Sequence, residues 1–153
     1  MTVTDFEIID MRLEQLSEYA ALYVSVFNSE PWNDKWTDET AGERLKLMIN
    51  TPAFIGKALY CGSELMGFIL GQKERSFDGM HFQIVEFCVK AAEQKKGYGK
   101  ALLKALENEL TDIGVVSIYL LTSKGDRTEG WYRHNGFYTA EGMILMKNNT
   151  FME

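Results

Sequence analysis

The sequence predicts a single mixed α/β domain built from about seven strands and four helices. Three observations carry this. The chain has 153 residues, 46% of them hydrophobic and 25% charged, which suits one buried core and is too short for two ordinary domains. Its apolar residues switch along the chain between helical and strand-like spacing. The elements follow the order strand, two helices, three strands, helix, strand, helix, two strands, so helical crossovers belong to the second half.

"FEIID" is the first short strand. "LEQLSEYAALYVSVF" places Leu13, Leu16, Tyr19, Ala20, Tyr23, Val24 and Phe27 on one helical face. "NSEPWNDKW" breaks that pattern as a loop. Thr37 caps a second helix with Asp38 and Glu39 in its first turn, and the helix runs to about Asn50, before Thr51-Pro52. "FIGKALYCGSELMGFILGQKE" reads as a hairpin around Gly62-Ser63, and "MHFQIVEFCVK" as the next strand. "GYGKALLKALENEL" repeats apolar residues at Tyr98, Leu102, Leu106 and Leu110, a helical spacing. "VVSIYLLTS" is continuously apolar, as for a buried central strand. "TEGWYRHNGF" is a short helix ended by Asn135-Gly136, with Gly136 free to take a left-handed cap. "FYTA" and "MILMK" are expected to close the sheet as a hairpin.

Composition narrows the function classes. "MTVTDFEIIDMRLEQL" lacks the basic start and long apolar stretch of a secretory signal. No segment approaches the roughly 20 apolar residues that cross a bilayer, so no membrane partner is expected. Cys61 and Cys88 lie in apolar strand-like runs and are expected as free buried thiols of a cytoplasmic protein. A net charge of −6 argues against nucleic acid as a partner and is compatible with a cationic small molecule. His81 and His134 are isolated, without ligand spacing, so no metal is expected.

Against this acidic background, five of the sixteen Lys and Arg residues fall between Lys90 and Lys104, around Gln94-Lys95-Lys96-Gly97-Tyr98-Gly99. The stretch follows a strand and opens a helix. The first N–H groups of a helix have no partner within it, and the macrodipole adds partial positive charge there. A pyrophosphate fits that position, and glycines let the backbone approach it. Neither well-known phosphate loop matches. A P-loop would need Ser or Thr at Ala101 and Gly at Gln94; a dinucleotide fingerprint would need Gly at Leu102. A plain strand-to-helix turn with solvated lysines would use the same residues.

"VEFCVKAAEQKKGYGKALLKALE" resembles motif A of the GNAT N-acetyltransferase superfamily, in which Gln/Arg-x-x-Gly-x-Gly/Ala follows a strand. Gln94, Gly97 and Gly99 fill that signature. A second block, "GWYRHNGF", is similar to the family's aromatic-Tyr-x-x-x-Gly-Phe segment through Trp131, Tyr132, Gly136 and Phe137. The element order also matches along nearly the whole chain. The resemblance implies an α/β GNAT fold, a central mixed, mostly antiparallel twisted sheet of six to seven strands flanked by about four helices and splayed between its fourth and fifth strands, and acetyl-CoA as cosubstrate. It implies main-chain contact to the pantetheine arm from Phe87, Cys88 and Val89, and a phosphate loop at Gln94, Lys95, Lys96, Gly97, Tyr98, Gly99, Lys100 and Ala101. One departure stands out: many members carry an Asn seven residues before the Tyr, where this chain has Gly125. That contact is then absent, or supplied by Thr122, Ser123 or Asp126.

Acetyl transfer needs a base for the ammonium, a donor for the carbonyl and an acid for the leaving thiolate. Glu86 interrupts the apolar "IVEFCV" at a position where many members hold a Glu, and a carboxylate in a dry cleft has the raised pKa of a base. A strand Glu facing solvent, or one paired with a lysine, would read the same way. Tyr132 matches the family's Tyr near the CoA sulfur and is the expected acid. The carbonyl donor is expected to be the N–H of Cys88 or Val89. A strand Cys with no His nearby in sequence is expected to be inert. Glu30, Asp34, Trp32 and Trp36 in "NSEPWNDKW" form an acidic and aromatic set suited to a cationic amine. The expected reaction is direct attack by a primary amine of a small-molecule or peptide acceptor; the alternative is a non-catalytic acyl-CoA-binding module. A homodimer through the terminal strands is compatible with the pattern.

Overall fold

The computed structural model describes residues 5–94 and 96–149. The chain divides into a first unit ending at Leu121 and a second beginning at Thr122. In the first unit the elements are β1 (Glu7–Asp10), a 3-10 turn (Leu13–Gln15), α1 (Leu16–Phe27), α2 (Asp38–Ile49), β2 (Phe54–Cys61), β3 (Glu64–Ser76), β4 (Gly79–Val89), a second 3-10 turn (Ala91–Glu93), α3 (Tyr98–Asp112) and β5 (Val115–Leu120). In the second unit, α4 spans Glu129–His134.

The strands form one sheet in the order β1-β2-β3-β4-β5. Pairings from β1 to β4 are antiparallel, and β5 runs parallel to β4 after the α3 crossover. The mixed, mostly antiparallel character is as expected, but five strands are present among the described residues rather than six to seven. "FYTA" and "MILMK" have the composition of strands, yet residues 137–149 carry no helix or strand. Composition alone does not make a strand; a ladder partner does. For the same reason β5 lies at the sheet edge instead of the centre, with Val116 58% and Tyr119 40% exposed.

Helix starts follow the local sequence. At Thr37 the hydroxyl accepts from the Thr40 N–H at 3.0 Å while the Thr40 hydroxyl accepts from the Thr37 N–H at 2.9 Å, a reciprocal cap that fixes where α2 begins. The β2–β3 hairpin turns at Gly62, whose φ is +61°.

Register sorts the two faces of the sheet. Phe68 and Leu70 of β3 join the core formed with Tyr19, Ala20, Tyr23 and Val26 of α1 and Ala41 and Leu45 of α2. Gly67, on the alternate face, lies under α3: a Cβ there would meet Leu102 Cδ1 and Val89 Cγ2, each at 3.2 Å. Leu102, Leu103, Leu106 and Leu110 of α3 are buried. Each such leucine contributes roughly 1.5–3 kcal/mol.

One irregularity determines the site. Leu70 pairs with Glu86, but Gly71 pairs with Ile84, so Val85 is an extra residue in β4. This β-bulge reverses the alternation. Ile84 shares the Gly71 face, toward α3, whereas Glu86 shares the Leu70 face, toward α1 and α2. Gly71 makes the bulge feasible: a Cβ there would lie 1.9 Å from the Gln83 carbonyl oxygen.

Candidate acetyl-transfer site

The bulge also marks where β4 and β5 part. Their pairing runs from Met80↔Val115 to Ile84↔Leu120 and stops there. Glu86 to Val89 continue alongside β3 alone among the described strands. That is the splay that the family resemblance implies.

Backbone alternation decides which groups look into the splay. The Lys90 N–H donates to the Met66 carbonyl at 2.7 Å. By antiparallel alternation, the peptide groups of Cys88 and Glu86 also face β3, and those of Phe87 and Val89 face the opposite edge. The Cys88 N–H is therefore committed to the β3 ladder, which corrects its expected role as a carbonyl donor or pantetheine contact. Phe87 and Val89 keep the required orientation. The Val89 carbonyl accepts from the Gln94 side-chain amide at 3.0 Å, folding the following loop back on the strand end.

After the 3-10 turn, Gly97 takes φ +88° and stands at the N-terminal cap of α3. This left-handed conformation favours glycine. Nothing lies within 4 Å of a Cβ built there, no side chain caps the helix, and its first turn holds no acidic residue. The amides of Tyr98, Gly99 and Lys100 therefore head the helix without intrahelical acceptors. This fits a diphosphate, whose charge those amides and the macrodipole would meet. The Ala101 amide, the Tyr98 ring and the Lys96 ammonium are engaged within the protein. The Ala101 N–H donates to the Gly97 carbonyl at 3.0 Å and is used within the helix. Tyr98 turns its ring inward, edge-on to Phe6 at 6.1 Å, and its hydroxyl accepts from the Cys61 thiol at 3.4 Å. Lys96 pairs with Glu93 at 2.7 Å, and Lys90 pairs with Glu64. Lys100 is exposed on the first helical turn, and Lys95 lies outside the described residues.

Glu86 is 8% exposed and is the one buried charged side chain among the described residues. It does not face solvent, nor does it pair with a lysine. Arg44 of α2 donates to Glu86 Oε1 from Nε at 3.2 Å and from Nη2 at 3.0 Å. The Tyr23 hydroxyl of α1 lies against both groups. Burial pushes the Glu86 carboxyl above the usual carboxylate range; Arg44 and Tyr23 oppose the rise, and Asp34 adds to it. Burial likewise raises Tyr23, with the Glu86 charge adding to it. Burial works against the Arg44 charge, but Glu86 and Tyr23 outweigh it. Cys88 sits 4% exposed in the core, its thiol driven well above the ordinary range by burial and then by Glu86. The protonated thiol is the unreactive form of cysteine.

Around this pair the "NSEPWNDKW" loop is tightly built. The Asn28 side chain accepts from the Trp36 N–H and donates to the Trp36 carbonyl, both at 2.8 Å. Trp36 meets Tyr23 edge-on at 5.1 Å, and the Arg44 guanidinium lies 5.8 Å from its ring centre. Trp32 stands edge-on to Phe27 at 5.0 Å, and Glu30 is exposed. The aromatic set is therefore not an open cage for an outside cation: the cation at Trp36 is the protein's own Arg44. A hollow of about 470 Å³ borders this arrangement, lined by Trp36, Thr40, Glu43, Arg44, Leu47, Met48 and Thr51. Arg44 and Tyr23 are the residues that sequence reasoning missed. The signal available was positional: Arg44 lies two turns from a well-marked cap, on the side of the helix that carries Ala41 and Leu45.

In the second unit, Tyr132 belongs to α4. Its ring meets Trp131 at 5.2 Å and Phe137 at 5.5 Å, both edge-on, and its carbonyl accepts from the Phe137 N–H at 3.0 Å. Gly136 takes the left-handed φ of +97° expected of it. Gly125 has φ +122°, a conformation that favours glycine, and its N–H donates to Glu129 Oε1 at 2.9 Å. The loop at that position is closed by the protein's own carboxylate.

Residues 13–137 match the Acetyltransferase (GNAT) family, and the chain belongs to it. The fold is shared with solved acetyltransferases of low sequence identity. An aminoglycoside acetyltransferase, meta-AAC0020, from an uncultured soil metagenomic sample superposes with a TM-score of 0.74 at 17% identity, over 94% of this chain and 95% of that one. The ribosomal-protein-alanine N-acetyltransferase of Brucella melitensis biovar Abortus 2308 gives 0.77 at 16% identity, over 95% and 100%. The aminoglycoside N-acetyltransferase AAC(6')-Iy in complex with CoA gives 0.76 at 14% identity, over 94% of each chain. No curated protein sequence matches the chain. Among the described residues there is no group that could hold a metal ion and no helix long and apolar enough to cross a membrane.

Proposed function

We propose that this chain is an acetyl-CoA-dependent N-acetyltransferase acting on a primary amine by direct attack, with Glu86 as base and Tyr132 as acid. The observation that carries the reading is the buried Glu86, delivered by the Val85 bulge to the stretch where β4 has left β5. Burying a carboxylate costs free energy even when it is paired, and binding CoA alone does not require one there. Acetyl-CoA supplies the activated acyl group. Tyr98, Gly99 and Lys100 amides would hold its diphosphate, and Val89 and Phe87 would bond its pantetheine arm. Glu86 takes the proton from the acceptor ammonium, directly or through a water, and the freed amine attacks the thioester carbonyl. The Val89 N–H, facing the splay, is the donor for the developing oxyanion. As the C–S bond breaks, Tyr132 gives its proton to the departing thiolate, and the second proton, lost by the acylated nitrogen, restores the phenol.

The aminoglycoside and ribosomal-protein acetyltransferases that share the fold make amino sugars and protein N-termini the first acceptors to try. The test is CoA release from acetyl-CoA across a panel of amino sugars, polyamines, amino acids and peptides. Turnover of at least one amine, lost in Glu86→Gln, is the expected result. Tight CoA binding with no amine turned over would favour the binding-module reading instead.

A further inference from the structure

We propose that Arg44 is the positioning residue of the base: its guanidinium grips a single oxygen of Glu86 and holds the carboxylate charged and oriented inside the core. The inference rests on the reading of Glu86 as base.

The geometry is specific. Both Arg44 donors, Nε and Nη2, converge on Oε1, at 3.2 and 3.0 Å. No Arg44 donor reaches Oε2, which is thus left without a guanidinium partner. The frequent fork-to-fork arrangement of an Arg–carboxylate pair engages both oxygens side by side, and it is not the one formed here. Arg44 is itself supported. It lies over the Trp36 ring, and the Trp36 backbone is clamped on both sides by Asn28. The line of support runs from Asn28 through Trp36 and Arg44 to Glu86, and links the end of α1 to the middle of β4.

The other groups facing Glu86 are few. They are the Tyr23 hydroxyl from α1, the Asp34 carboxylate from the loop after α1, and the Cys88 thiol on its own strand. Across the ladder on β3 stands Leu70, which is apolar and fully buried. Arg44 is thus the one cation acting on Glu86 among these groups, against a like charge on Asp34. It also lines the hollow beside Trp36, Thr40 and Met48, so an acceptor settling there would meet the guanidinium that aims the base.

The test compares pH–rate profiles of the full chain as wild type, Arg44→Met, Arg44→Lys and Glu86→Gln, using an amine that the wild type acetylates. Removing an opposite charge at this range moves a carboxylate upward, so the acidic limb of kcat/KM in Arg44→Met should rise by about 1–3 pH units. Arg44→Lys keeps the charge and the stem but not the fork. Its limb should stay near that of the wild type while kcat falls about 10- to 100-fold, with the KM for acetyl-CoA unchanged. An unmoved limb in folded Arg44→Met overturns the proposal. Should Arg44→Met fail to fold, a wild-type kcat in Arg44→Lys overturns it equally. If Glu86→Gln itself keeps the wild-type limb, the base reading falls, and this proposal with it. Loss of the limb in Glu86→Gln beside an unmoved one in Arg44→Met removes only the role of Arg44.

Discussion

Replacing Gly71 by Ala tests the bulge that delivers Glu86. The added Cβ would lie 1.9 Å from the Gln83 carbonyl oxygen, 2.7 Å from Phe82 Cε2 and 2.9 Å from the Gln83 carbonyl carbon. Two of these three atoms are backbone, so no rotamer change relieves the clash. Overpacking typically costs 1–3 kcal/mol, and a backbone clash belongs at the upper end, about 3 kcal/mol. For a chain of this length that lowers Tm by about 6–12 °C. The same chemical change at Gly42, inside α2 with nothing within 4 Å of a Cβ, should have the opposite sign. There Ala should stabilise by roughly 0.5–1 kcal/mol, because Gly is a poor helix former. Thermal unfolding by circular dichroism reads both. Because β3 and β4 must separate to admit the Gly71→Ala methyl, Glu86 moves as well, and a misplacement near 1 Å costs about 10²-fold in turnover. A Gly71→Ala protein with wild-type Tm and wild-type acetyl transfer would refute this account of the bulge.

Asn28→Ala removes two hydrogen bonds to the Trp36 backbone, a loss of about 1–3 kcal/mol. It should raise the acceptor KM and lower Tm while leaving CoA affinity unchanged; an unaltered acceptor KM would separate Trp36 from the acceptor site. Cys88 should resist alkylation at neutral pH in the native chain and react only after denaturation, as read by peptide mass analysis, since its buried thiol stays protonated. Rapid labelling of native Cys88 would contradict its burial. The wild-type rate should fall as pH falls through the raised Glu86 pKa, because only the ionised carboxylate accepts a proton, and that limb should lie above the ordinary carboxylate range. A limb within the ordinary range would place the base elsewhere. Tyr132→Phe should lower kcat more than CoA affinity; equal kcat would remove its role as acid.

Local chemistry was legible in the sequence wherever a few neighbouring residues decide the structure. The Thr37 cap, the Gly62 hairpin, the left-handed Gly136 and the glycine opening α3 are all of this kind. So was Glu86, because a charge inside "IVEFCV" breaks a pattern that a reader can see. The bulge at Val85 was not, because it depends on which β3 residue stands opposite, and Gly71 looks like any strand glycine until Gln83 lies beneath it. Nor was the Arg44–Glu86 pair, whose members are 42 residues apart and meet only once α2 packs on the sheet. The lysines around Gly97 illustrate the same limit. Their number was plain, but Glu64 and Glu93 take two of them, and only the fold brings Glu64 to the end of β4. The aromatic loop invited a cation and received one, from the protein itself.

In the proposed function the first turn of α3 binds a diphosphate and thereby aims a thioester at Glu86. Calorimetric titration with coenzyme A of the wild type, Gly97→Ala and Gly97→Glu measures that binding. The left-handed φ at Gly97 makes Ala strained by about 1–2 kcal/mol, with no clash to add. Saturable binding by the wild type, weaker binding by Gly97→Ala, and none by a folded Gly97→Glu is the expected result, since that carboxylate would stand in the place proposed for the diphosphate. Wild-type affinity in Gly97→Glu would contradict it.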